Sequence, residues 1–401
     1  MGRIGIFGGT FNPPHCGHVH AARAVILQLQ LDQLWMIPTH VAPHKQIPED
    51  SPTPQQRLEL LRRAAEEIPL CEASDIELRR EGNSYTYLTV RQMREIYPQE
   101  ELVLLMGSDM FLCLQQWKCV EEILENASIG AFYRGNQEEK EAIDREKATL
   151  EAKGVKVYLV ENPVISISST QLRRMLIFQC AAPFLQPNVL TYIQEQGFYG
   201  TKQDLRSLSV TDLETAALGL LKPNRIAHVQ GCRDTAVALA KHWGADETDA
   251  ARAALLHDVT KALDSQLQLT LCREYGILLD NFSARNPKTL HALTGSLVAQ
   301  RIFGENHAVV EAIRHHTTGK AGMNLLEKII YVADYMEPNR DFPGVERLRE
   351  LAFSDLDAAM ILGLEMTLNL LQTQGREVSP ESREALEDFR KHAHQKGKML
   401  C

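Results

Sequence analysis

Ile4-Gly5-Ile6-Phe7 runs directly into Gly8-Gly9-Thr10-Phe11-Asn12-Pro13-Pro14-His15-Cys16-Gly17-His18, and this junction decides the fold of the first half of the chain. A short apolar run reads as a buried strand, and glycines after it let the backbone approach a phosphate with no Cβ in the way. His15 and His18 flank Gly17 where a helix is expected to begin, near Val19. Two imidazoles at a helix N-terminus add donors to the positive end of the dipole, which suits an anion. The plainer reading of the same pair is capping and packing.

Further runs of the same kind follow: Leu34-Trp35-Met36-Ile37, Leu102-Val103-Leu104-Leu105-Met106, Ile129-Gly130-Ala131-Phe132 and residues 155–160. Between them, residues 21–31 and 55–68 carry apolar side chains at helical spacing, and residues 144–153 read as a surface helix. Strand alternating with helix predicts an α/β Rossmann-like domain over residues 1–200, a parallel sheet covered on both faces. Ligands of such sheets collect at the carboxyl ends of strands, where the glycine loop and Gly107-Ser108-Asp109 fall.

The texture changes after Gly197-Phe198-Tyr199-Gly200. Residues 201–208 are polar and are expected to link two domains, with Ser209 or Thr211 capping the next helix. Helical spacing then fills residues 211–221, 225–242, 248–262, 266–275, 291–302, 308–315, 325–335 and 355–374. With no strand candidate, residues 209–401 are expected to form an all-α domain, its last ten residues frayed.

A chain of 401 residues, 44% hydrophobic and 24% charged, is long enough for two such cores. The net charge of −9 argues against a nucleic acid or an anionic membrane as main partner. No apolar run nears the roughly 20 residues needed to span a bilayer, and the chain opens on a strand without a cleavable leader. Eight cysteines without a C-x-x-C pair read as reduced thiols, so a cytoplasmic setting is expected. Cys16 reads as a small filler within its motif. A homo-oligomer is compatible with the sequence, which does not fix the state.

A second phosphate feature lies in Ile167-Ser168-Ser169-Thr170-Gln171-Leu172-Arg173. Ser169 or Thr170 can cap the helix that follows, and Arg173 lies one turn in. Alone, this is an ordinary capped helix with an exposed arginine. Beside the glycine–histidine loop it completes a triphosphate clamp. The combination resembles the nucleotidylyltransferase superfamily, and within it the bacterial nicotinate-mononucleotide adenylyltransferases. The resemblance covers residues 3–200 and includes Pro43-His44-Lys45, Ser84-Tyr85-Thr86, Gly107-Ser108-Asp109, Trp117 and Arg134.

That resemblance implies adenylyl transfer from ATP to nicotinate mononucleotide, with Mg²⁺ present and pyrophosphate leaving. His15 and His18 would stabilise the α/β phosphates, with Lys45, Ser169 and Arg173 on phosphate oxygens. Gly8, Gly9, Thr10, Phe11, Asp109, Ser168 and Thr170 would complete the nucleotide site. Tyr85, Thr86, Trp117 and Arg134 would take the pyridine mononucleotide, although Trp117 also reads as a core aromatic. Leu88 stands where relatives often carry Asp, a departure in the local pocket.

The second half holds His228, His257-Asp258 and Asp334, each inside or ending a helical stretch. Carboxylates on a buried stripe must meet a cation. An arginine salt bridge is one answer; a divalent metal on His228, His257, Asp258 and Asp334 is the other, and mixed N/O donors suit iron, manganese or zinc. Arg225 and Lys261 sit three residues from His228 and Asp258, on the same helix faces. His291, His316 and Arg340 follow, while His315 reads as structural and His242, His307, His392 and His394 as solvent-facing.

These strings resemble the HD-domain metallohydrolases, most closely the bacterial symmetrical diadenosine tetraphosphate hydrolases, over about residues 209–385. The resemblance implies bound iron that activates water, with Ap4A cleaved to ADP. Arg225, Lys261, His291, His316 and Arg340 would contact phosphates; His291 and His316 holding a second metal is the alternative. Other readings stay open: another acceptor such as NMN for the first half, another nucleotide or a sensing role for the second.

Overall fold

The computed structural model describes residues 2–41, 48, 51–133, 137–162 and 167–399. The chain divides into two compact units, Met1–Gln203 and Asp204–Cys401.

The first unit is built on six parallel strands in the order β3-β2-β1-β4-β5-β6. These are β1 (Arg3–Gly9), β2 (Gln33–Pro38), β3 (Cys71–Ala73), β4 (Glu101–Gly107), β5 (Ser128–Tyr133) and β6 (Val157–Glu161). Along β1 and β4, side chains alternate between two cores. Ile4, Ile6, Leu102 and Leu104 enter one; Phe7, Val103 and Leu105 enter the other. The second core is closed by α1 (Cys16–Leu29) and α2 (Pro54–Ala65), through Val19, Val25, Leu29 and Leu61. The first core is closed by α3 (Thr86–Ile96), α4 (Ser108–Leu112), α5 (Val120–Asn126) and α6 (Gln137–Ala152). Two further helices, α7 (Ser169–Ile177) and α8 (Pro187–Gln196), complete the unit. Strand order reverses between β1 and β4, and a parallel sheet opens its ligand crevice at such a point, beyond the carboxyl ends. Gly8-Gly9 and Gly107 end these two strands.

The α/β expectation holds. Differences are local: α1 starts at Cys16 instead of near Val19, because His15 caps it. The three-residue β3 was not anticipated, being too short to show alternation.

The second unit carries no strand among the described residues. Its helices are α9 (Val210–Leu220), α10 (Ile226–Trp243), α11 (Glu247–Leu256), α12 (Ser265–Glu274), α13 (Asn281–Arg285) and α14 (Leu290–Arg301). They continue with α15 (His307–His315), α16 (Leu325–Met336), α17 (Val345–Ser354), α18 (Leu356–Thr373) and α19 (Pro380–Met399). Val229, Cys232, Ala236 and Leu239 form the buried stripe of α10, facing α11, whose Ala250, Ala253 and Ala254 permit close approach. Helix α11 ends at Leu256, six residues short of the expected 262, and His257-Asp258 lie in the turn that follows. The C-terminal residues expected to fray continue α19 as far as Met399. No described helix is long and apolar enough to cross a membrane, and every described cysteine is a free thiol.

Two candidate active sites

In the first unit the two histidines make a reciprocal cap. His15 Nδ1 accepts from Gly17 N at 3.2 Å, and His18 Nδ1 accepts from His15 N at 3.1 Å. An imidazole that accepts at Nδ1 carries its proton on Nε2 when neutral. Burial pulls the His15 pKa down to about 4, so that ring is neutral at pH 7. The cap fixes each neutral ring as an Nε2–H donor. The rings lie 3.8 Å apart between centroids, with Phe11 edge-on to His18 at 5.0 Å.

Gly8 is exposed at the end of β1, and a Cβ placed there would meet nothing within 4 Å. The open space lies above the strand end, where a ligand's phosphates would approach. Arg57, on α2 and 1% exposed, fixes the loop from beneath. Its guanidinium donates to Thr10 O at 2.8 Å and, from the other branch, to Thr39 O at 2.7 Å.

Helix α7 brings the distant string to the same loop. Arg173 donates to Asn12 O at 2.8 Å and to Thr170 Oγ1 at 3.2 Å, and Ser169 Oγ lies 3.5 Å from Pro13 O. Asn12 is itself held by Tyr199 Oη at 2.7 Å and by Ser51 Oγ at 2.9 Å. The N-cap of α7 is Ser168, in a capping box with Gln171, where Ser169 or Thr170 was expected. Residues 156 and 161 apart in sequence thus share one corner.

Asp109 is exposed in the first turn of α4, just beyond β4. Tyr85 precedes α3, and Thr86 is its first residue; the neighbouring Ser84 ties them to the loop after β2 by accepting from His40 N at 2.8 Å. Trp117 packs partly buried against the core, and the adjacent Lys118 ammonium covers the Tyr85 ring at 4.2 Å. Lys45 and Arg134 lie outside the described residues. No His/Cys/Asp/Glu grouping suited to a metal occurs among the described residues of this unit.

The second unit reverses the imidazole logic. His257 Nδ1 donates to Ala254 O at 2.6 Å, His291 Nδ1 to Lys288 O at 2.9 Å and His316 Nδ1 to Ile313 O at 2.7 Å. Each uses a helix carbonyl three residues back, and each is left with a lone pair on Nε2. His228, on α10, instead meets the Glu337 carboxylate at 3.1 Å through Nδ1. Burial holds His291 at about 4 and His316 at about 3, and pushes His257 down as well, so these rings are neutral at pH 7.

The Nε2 atoms of His228 and His257 face each other at 3.3 Å. Asp334 Oδ1 lies 3.0 Å from the first and 3.7 Å from the second; Asp258 Oδ2 lies 3.8 and 3.5 Å away. Ligand atoms each about 2.1 Å from one ion stand about 3.0 Å apart at right angles and about 3.4 Å apart at the tetrahedral angle. Separations of 3.0, 3.3 and 3.5 Å are of this size, those of 3.7 and 3.8 Å are wider, and the mixed N/O donor set suits a divalent cation.

Burial opposes ionisation of both aspartates, yet their surroundings outweigh it. The cations beside them, Lys261 at Asp258 and Arg340 at Asp334, hold both carboxyls well below the usual carboxylate range. Asp258 Oδ1 is buried without a hydrogen bond, with Lys261 Nζ at 3.3 Å and His291 Nε2 at 3.5 Å. Arg225 pairs with Asp258 Oδ2, and Arg340 with Asp334 Oδ1 at 2.8 Å. The arginine salt bridge and the metal-type cluster, alternatives in sequence, coexist here. Thr317 Oγ1 bridges His291 and His316 at 3.3 and 3.2 Å.

His315 points elsewhere, to Glu311 at 3.5 Å, in a grouping with Glu327 that Lys320 already neutralises at 3.1 and 2.7 Å. His242, His307, His392 and His394 are exposed, as expected. Sequence reasoning missed Arg57, Thr317 and the role of Glu337. Only Glu337 left a signal: an acid at a helix C-terminus is electrostatically out of place and calls for a partner.

Residues 6–175 match the cytidylyltransferase-like family, and residues 225–339 match the HD domain. The chain is 36% identical over 235 residues to a probable nicotinate-nucleotide adenylyltransferase of Geobacillus thermodenitrificans, covering 58% of this chain and 99% of that protein. It is 40% identical over 166 residues to the symmetrical bis(5'-nucleosyl)-tetraphosphatase of Bacillus subtilis, covering 40% of this chain and 87% of that protein. An HD superfamily hydrolase of Clostridium acetobutylicum gives a TM-score of 0.45 at 34% identity, over 46% of this chain and 98% of that one.

Proposed function

The chain belongs to the nicotinate-nucleotide adenylyltransferase family in its first half and to the HD-domain family of symmetrical bis(5'-nucleosyl)-tetraphosphatases in its second, and on that premise we propose a bifunctional enzyme. In the first unit a 5'-phosphate oxygen of nicotinate mononucleotide attacks the α-phosphorus of ATP. The bond to the bridging oxygen breaks, pyrophosphate leaves, and deamido-NAD is formed. No enzyme nucleophile takes part, so the residues act by position and charge. The Nε2–H groups of His15 and His18 are donors whose bonds strengthen as charge builds on the phosphate oxygens. The α7 N-terminus with Ser168, Ser169 and Thr170, joined by Arg173 and Lys45, holds the remaining phosphates. Asp109 lies on the nucleotide side, and Tyr85, Thr86, Trp117 and Arg134 take the pyridine nucleotide.

In the second unit, Ap4A is hydrolysed symmetrically to two ADP. His228, His257, Asp258 and Asp334 would hold a divalent transition metal such as iron, which when bound supplies Lewis acidity toward water and phosphate. Arg225, Lys261 and Arg340 stand ready to share their charge with substrate phosphates, beside His291 and His316.

The observation that carries this reading is the opposite use of Nδ1: an acceptor in the first site, a donor in the second. The first leaves N–H groups for anions; the second leaves lone pairs for a cation. The test is product chromatography with the full chain on ATP plus nicotinate mononucleotide or NMN, and on Ap4A, GTP or ppGpp. Deamido-NAD and ADP are the expected products. His18→Ala should cut deamido-NAD formation about 10²-fold and spare Ap4A cleavage, with Asp258→Asn doing the reverse. A preference for NMN overturns the first assignment, and release of ATP plus AMP from Ap4A overturns the second.

A further inference from the structure

We infer that Glu337 is a positioning residue that sets the tautomer and donor strength of His228 for metal binding. Three imidazoles of the second site are oriented by neutral helix carbonyls; His228 alone is oriented by a carboxylate. His228 is the third residue of α10, and its acceptor comes from Glu337, the C-cap of α16.

Glu337 is placed for this task, with Arg340 Nε as a further charged neighbour 3.9 Å from Oε1. It is 1% exposed, and both its oxygens are committed. Oε1 faces His228 Nδ1 at 3.1 Å; Oε2 accepts from Asn339 N at 2.7 Å and from Asn339 Nδ2 at 2.9 Å. Asn339 Nδ2 in turn reaches Ala227 O at 3.1 Å, which pins the assembly to α10. On the same helix a Cβ at Gly231 would lie 2.5 Å from Glu337 Oε2, so glycine makes the space the carboxylate fills. A buried carboxylate on Nδ1–H fixes the ring with its Nε2 lone pair available and makes that nitrogen a stronger base, and loss of such a partner typically costs 10–100-fold in metal affinity. The inference rests on the metal-site reading above.

The substitution Glu337→Gln separates this role from packing, because it keeps the shape. A glutamine cannot accept from both Asn339 and His228 Nδ1–H: its amide nitrogen faces one donor or the other. The full chain, stripped of metal, is titrated with Co²⁺ and followed by its visible d–d absorption. Wild type should bind with the intense bands of a low-symmetry site. Glu337→Gln should raise the Co²⁺ dissociation constant about 10–100-fold and alter the spectrum. Gly231→Ala should do the same by pushing the carboxylate away, while favouring the helix intrinsically; it decides the matter if Glu337→Gln does not fold. Equal Co²⁺ affinity and an unchanged spectrum in the folded variants overturn the inference while leaving the metal site intact. No Co²⁺ binding by wild type overturns the metal-site reading itself.

Discussion

His15 shows at the scale of one residue how a helix cap decides which ring nitrogen is left to donate. Its burial also makes it a measurable liability in acid. The folded ring resists protonation down to about pH 4, whereas in the unfolded chain it titrates near 6.5. Between those values the unfolded state binds the extra proton, so stability falls as pH drops, by at most about 1.4 kcal/mol per unit. Replacing it by asparagine, which can still cap, should remove that increment. Urea midpoints of wild type and His15→Asn, followed by Trp35 and Trp117 fluorescence in a Trp243→Phe background, should diverge between pH 7 and pH 4.5. Parallel curves would show that His15 is not protonation-resistant.

Arg57 belongs to the scale of elements, since it ties α2 to the loops after β1 and β2. A methionine there keeps the length and removes the fork, leaving the Thr10 and Thr39 carbonyls without their donors. Loss of about 2–4 kcal/mol in the first unit is expected, with a raised KM for ATP, readable by denaturation and steady-state kinetics. An unchanged KM would mean that the glycine loop holds its shape unaided. Nothing in Gln55-Gln56-Arg57-Leu58 announces this, because an arginine in an amphipathic helix ordinarily faces solvent. Elements with strong periodicity were legible: β1, β4, α10 and α16 lie within a residue or two of expectation. The sequence misled where a side chain competes with the backbone. His15 starts α1 early by capping it, and at the end of α11 His257 takes the Ala254 carbonyl with its ring. The metal-type cluster was legible as the order His, His-Asp, Asp, although His257-Asp258 lie in a turn and not on a helix; its tautomers were not legible, for they depend on carbonyls and on Glu337, set by packing.

At the scale of the whole molecule, each unit has its own core, and among the described residues the groupings suited to a cation fall within the second. An ion at about a thousand times its dissociation constant stabilises the unit that binds it by about 4 kcal/mol. For a unit of this size, chelation should therefore lower its melting temperature by roughly 10 °C. Calorimetry with and without chelator should move one transition and leave the other in place. Both transitions shifting equally, or neither, would contradict a metal confined to the second unit.

That confinement has a physiological corollary. Because a single polypeptide carries both sites, synthesis and degradation lock their copy numbers at one to one, and gene dosage cannot alter the ratio. On the proposed bifunctional reading, the lever left to a cell is ionic supply: scarcity of the ion would silence the second site on every copy and leave the first running.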